Sequence, residues 1–144
     1  MKRIILMLLA GSMSVHLGCG SPNPRAFNQA RGASSWSALE VRDGLDHERA
    51  WGSVFDLIAR NFDIDKVFRE DGYLQTDWKH DWSGQYLPNY RVRVTIKFSA
   101  DKKVLQFKPE AQAFNGTSWV SGVDSRLVST LKTDLMGTVG RIAR

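Results

Sequence analysis

The densest run of chemically capable groups is Asp77-Trp78-Lys79-His80-Asp81-Trp82, where an imidazole lies between carboxylates. His80 with Asp77 or Asp81 has the make-up of a general base or a metal ligand, so a hydrolase is one function to weigh. The pattern stops short of that chemistry. Successive strand residues point to opposite faces, the chain has no nucleophile motif of the GxSxG kind, and His16 and His47 lie far away in sequence. A solvated hairpin histidine explains the run more simply. Asp63, Asp65, Glu70 and Asp71 carry enough oxygen for calcium, yet they lack the DxDxDG order, and alternating charge on an exposed strand accounts for them. No catalytic residue, metal ligand or cofactor is assigned, and the chain reads as a non-enzyme.

Binding is a better prospect. Tyr90-Arg91-Val92-Arg93-Val94-Thr95-Ile96-Lys97-Phe98 alternates strictly, with Tyr90, Val92, Val94, Ile96 and Phe98 on one side and Arg91, Arg93, Thr95 and Lys97 on the other. That is a strand with one dry and one wet face. Arg91, Arg93 and Lys97 form a cationic stripe, which Lys79, Lys102, Lys103 and Lys108 extend from neighbouring segments, and which would attract an acidic protein, lipid phosphates or glycan carboxylates. Asp77, Asp81 and Asp101 temper its field, and no aromatic interleaving in the sequence favours nucleic acid. Trp82, Tyr86 and Trp119 fall in expected loops and are candidate exposed anchors for a partner.

Twenty Lys and Arg against 15 Asp and Glu give the 144-residue chain a formal charge of +5, and Cys19 is its only cysteine. One thiol forms no intramolecular disulfide, no four-cysteine zinc site and no CxxC pair. Residues 1–18 explain its place: Lys2 and Arg3 precede the apolar run Ile4 to Ala10 and a stretch rich in small residues, the order of a secretory signal. The apolar run is too short to span a bilayer. Leu17-Gly18-Cys19 resembles the lipobox of bacterial lipoproteins, although His16 stands where that family places leucine. The resemblance implies cleavage before Cys19, acylation of its thiol and amino group, and firm membrane attachment, since each buried methylene contributes about 0.8 kcal/mol. The same resemblance implies the periplasmic face of the outer membrane, since Gly20, rather than the aspartate that this family uses for inner-membrane retention, follows the cysteine. Residues 19–34, rich in Pro, Gly and Ser, read as a flexible tether with an r.m.s. span of roughly 20 Å.

Residues 35–144 read as one globular domain. Trp36, Ala38 and Val41 mark a short strand, and Asp46 caps a helix whose stripe is Trp51, Val54, Phe55 and Ile58, ending near Arg60-Asn61. A hairpin follows, turning at Asp71-Gly72, with Leu74, Thr76 and Trp78 on one face of the return strand. After the Tyr90–Phe98 strand, Leu105, Phe107, Ala111 and Ala113 continue the dry face, with Pro109 at a bulge or an edge. A loop through Asn115, Gly116 and Gly122 then reaches Asp124, the N-cap of a last helix carrying Leu127, Val128, Leu131, Leu135, Val139 and Ile142. The fold class is α+β, a two-layer sandwich of an antiparallel sheet of four or five strands with both helices on one face.

Ala50-Trp51, Asn61-Phe62-Asp63-Ile64-Asp65 and Gly72-Tyr73-Leu74-Gln75-Thr76-Asp77-Trp78 together resemble the helix-grip domains of the BamC type, from the lipoprotein that accompanies the outer-membrane β-barrel assembly machine. The resemblance covers one such domain. It implies a non-enzymatic scaffold or assembly accessory of the cell envelope, anchored in the membrane and docking an envelope protein through its sheet face or loops. A module binding a small ligand or glycan is the alternative, and would need a groove lined by Trp82, Tyr86 and Trp119.

Overall fold

The computed structural model describes residues 23–141; Cys19, the signal segment and Ile142 lie outside the described residues. Strands β1 (Phe27–Asn28) and β2 (Ser37–Glu40) precede helix α1 (His47–Ala59). Then come β3 (Ile64–Phe68), β4 (Tyr73–Thr76), β5 (Tyr90–Phe98), β6 (Val104–Phe114), β7 (Trp119–Asp124) and helix α2 (Ser125–Val139). The fold is α+β, as expected, with more strands than expected: among the described residues the antiparallel sheet has seven, ordered β1-β7-β6-β5-β4-β3, with β2 also paired to β6. Among them, no helix is long and apolar enough to cross a membrane.

Both helices start where their caps dictate. The carboxylate of Asp46 accepts the backbone N–H of Arg49 at 2.9 Å, and that of Asp124 accepts the N–H of Leu127 at the same distance. From α1 the side chains of Ala50, Trp51, Val54 and Ile58 are buried, and from α2 those of Leu127, Leu131, Leu135 and Val139, the i, i+3, i+4 spacing of one helical stripe. They meet the inward residues of β5 and β6 in a single core: Tyr90, Val92, Val94, Ile96, Phe98, Leu105, Phe107, Ala111 and Ala113. Among the described residues, both α-helices lie on this one face of the sheet.

Four sequence expectations are corrected. The segment from Trp119 to Asp124 is a strand rather than part of a loop, and pairs Ala111 with Gly122 and Phe114 with Trp119. Gly122 is there because Phe27 lies across it, and a Cβ would run into that ring. This is the second correction: residues 27–28, placed in the expected tether, pair with β7, and Phe27 packs edge-on to Tyr90 at 5.6 Å. Third, in β2 it is Leu39 that is buried, while Trp36 is exposed. Pro109 does take a local edge position, in the gap between the part of β6 paired to β2 and the part paired to β7, where a missing N–H costs no ladder bond.

The fourth correction matters most for the site. Leu74 and Thr76 face the core, but Trp78 does not share their side. Leu74 pairs with Ile96 on β5, whereas the bridge that follows joins Lys79 to Val92, so one extra residue is inserted between them. The hydroxyl of Thr76, buried, accepts the N–H of Val94 at 2.9 Å where the ladder is interrupted. A bulge of this kind reverses the facing of every residue beyond it and places Trp78 on the outer face.

Candidate functional site: the outer face of the sheet

The outer face is built by the alternate residues of β5 and their partners. Arg91 stands opposite Gln112, Arg93 opposite Glu110, Thr95 opposite Lys108 and Lys97 opposite Gln106. At the Arg91 end these pairs are bonded. The Nε and Nη2 of Arg91 both donate to Oε1 of Gln112, at 3.0 and 2.8 Å, and Arg93 makes a forked contact to Glu110, its Nε donating at 2.8 Å and its Nη2 at 3.4 Å. Lys108 reaches the same carboxylate at 3.5 Å.

Aromatic rings lock these arginines in place. The guanidinium of Arg91 lies 4.3 Å from the centre of the Trp78 ring and 3.9 Å from that of Trp119, and Arg93 lies 4.5 Å from Trp78. Partial burial, followed by the charge of Arg93, holds the Arg91 guanidinium below its usual pKa. Phe114 extends the stack, 5.5 Å from Trp119, and His80 joins it at 6.0 Å from Trp119 and 5.5 Å from Tyr86. Aromatic interleaving, absent from the linear pattern, is therefore present in space.

The other end of the same face is built differently. Lys66 on β3 and Tyr73 and Gln75 on β4 continue the outer row, with Phe68 beside Tyr73 at 5.9 Å between rings. Phe68 is 55% exposed. Lys97, exposed, makes no ion pair among the described residues. Along the ladder from β3 to β6, Lys66, Arg91, Arg93, Lys97 and Lys108 stand against two carboxylates, Glu110 and Asp65, the latter 4.0 Å from Lys66. On the helices the charges balance, Arg49, Arg126 and Lys132 against Glu48, Asp56 and Asp134.

The expected anchors part company. Trp119 and Tyr86 sit by the arginine stack, and Tyr86 is 69% exposed. Trp82 instead stacks on Phe62 at 5.5 Å with nearly parallel rings and packs against the core, so it is not an exposed anchor and shares no groove with the other two. Nor is His80 paired with a carboxylate among the described residues. The Nδ1 of His80 donates to the carbonyl of Leu87 at 3.1 Å, and Asp81 is 3.0 Å from Lys79, whose hydrogen bond and charge lower its pKa. Asp77 accepts the N–H of Trp78. Among the described residues no cluster of His, Cys, Asp and Glu could hold a metal ion.

Trp78, Gln112 and Glu110 were not singled out from the sequence. The last two were within reach, because the alternation of β6 opposite β5 places even-numbered residues outward. Trp78 was not, since its facing depends on the bulge. Comparison of the sequence with protein-family models and with curated proteins finds no match.

Proposed function

We propose that the protein is a non-enzymatic docking module of the bacterial cell envelope, a lipoprotein held by acyl chains on Cys19, that engages an envelope protein through the outer face of its sheet. One observation carries the reading: cations dominate the ladder from β3 to β6, while the helical side is balanced in charge. Such asymmetry orients an approaching acidic surface. The BamC-like pattern of residues supports a scaffold or assembly accessory of the outer membrane. With Phe27 docked on β7, the chain between Cys19 and the sheet is shorter than the tether expected from composition, so a module attached there works near the membrane.

A photo-crosslinking side chain at Ser121, exposed on the outer face, tests the docking, with Ser129 on α2 as the control. In intact cells the full chain should give a discrete protein adduct from position 121 and none from 129. Membrane fractionation and mass spectrometry of the amino-terminal peptide test the anchor, and Cys19→Ser should release the protein into the soluble fraction. Adducts from 129 alone, or an unacylated chain that stays soluble, would overturn the proposal.

A further inference from the structure

The two ends of the outer face differ in what they leave available, and this locates the contact within the docking surface. Arg91 and Arg93 spend their strongest donors on Gln112 and Glu110 and lie under indole rings. Lys97 spends none. It lines a cleft of about 700 Å³ with Lys66, Lys102, Phe68 and Tyr73. Lys102 has φ of 62°, a left-handed conformation that glycine or asparagine adopts more readily, and its Nζ donates to the carbonyl of Glu70 at 3.0 Å, holding the ammonium beside the cleft.

We propose that this cleft seats an acidic polypeptide segment of a partner protein, with an apolar side chain against Phe68 and Tyr73 and a carboxylate on Lys97. The inference rests on the docking function proposed above and names the chemistry of its partner. Charge complementarity selects acid, since the outer ladder has a surplus of cations. The exposed ring of Phe68 selects a chain with apolar groups as well, because burying it against a partner removes apolar surface from water. Glu70 and Asp71 also line the cleft. A uniformly anionic bilayer would meet those carboxylates together with the lysines, whereas a peptide can present its acids to the lysines alone. β3 is the last strand of the sheet, but it is short, charged and bulged between Ile64 and Lys66, features that blunt an edge. The contact is therefore made by side chains in the cleft rather than by strand addition.

The test is fluorescence anisotropy of the full chain with a labelled decapeptide of alternating glutamate and leucine. Its lysine–leucine counterpart and vesicles of phosphatidylglycerol and phosphatidylethanolamine are measured in parallel. The glutamate peptide should bind saturably, and Lys97→Glu and Phe68→Ala should each weaken it by about tenfold or more, a loss that Lys132→Glu on α2 does not reproduce. Both altered side chains are exposed, so thermal melts should be unchanged. The proposal falls if the glutamate peptide fails to bind, if it binds every variant equally, or if Lys132→Glu weakens it as much. It falls also if only the vesicles bind and lose binding with the same substitutions, which would make the cleft a lipid site. Crosslinking from Ser121 that persists unchanged in both cleft variants removes the cleft and leaves the docking function standing, whereas its absence from the unaltered chain removes both.

Discussion

The arginine end and the lysine end of one sheet face carry similar charge and use it differently. At the first, guanidiniums are forked onto Gln112 and Glu110, Arg91 lying against Trp78 and Trp119 and Arg93 against Trp78, so their charge is part of the architecture. At the second, Lys97 has no carboxylate partner among the described residues and shares a cleft with an exposed Phe68. A cationic stripe in a sequence thus divides in space into charge that is already satisfied and charge that is left over. Behind both lies the inward side of the same strand, where every alternate residue is buried.

The largest effect should come from erasing the difference between the two sides of β5. Val94→Asp puts an unpaired carboxylate where the native side chain is fully buried, and should cost about 4 kcal/mol or more, enough to abolish cooperative thermal unfolding. A melt like that of the unaltered chain would show that this face is not the core.

Next comes the junction that ties the inner face to α2. The carboxylate of Asp124, buried, accepts the hydroxyl of Tyr90 and also caps α2. Asp124→Ala removes the cap and orphans the hydroxyl, and should destabilise the domain by about 2 to 3 kcal/mol in urea titration. Burial first, then the hydrogen bond to Asp124 and its charge, raise the pKa of Tyr90 well above its usual value of 10.0. The sign follows from linkage: the unfolded tyrosine loses its proton above pH about 10 while the folded one keeps it, so stability is full below that pH and falls above it. Stability measured from pH 8 to 11 should show this alkaline decline, and Tyr90→Phe should remove Tyr90's share of it.

Smaller still is the contrast within the outer face. Trp78→Ala removes the ring that both arginines share and should cost about 1 kcal/mol, whereas Lys97→Glu should leave stability within about 0.5 kcal/mol of native while weakening peptide binding by about tenfold or more. Equal losses of stability at the two positions would dissolve the distinction between architectural and available charge.

Much of the fold was legible because the signals are local. Asp46 and Asp124 stand directly before their helical stripes, and the nine residues of β5 alternate without a break. The gaps have physical reasons. β7 was missed because Gly122 reads as a loop residue until Phe27 is seen lying over it, and a two-residue strand such as β1 has too few side chains to show a period. Of the expected anchors, Tyr86 and Trp119 lie by the arginine stack, whereas Trp78, the ring against both arginines, reads as inward from the sequence.

The sequence alone determined both helices and where they begin, and that one face of β5 is apolar and the other cationic, since these depend on neighbours a few positions apart. The tertiary structure decided which cations are paired and which stay available, because that turns on the register of β6 against β5 and on one inserted residue after Thr76. A register is fixed by packing across the whole sheet, and a shift of a single position moves a side chain to the opposite face.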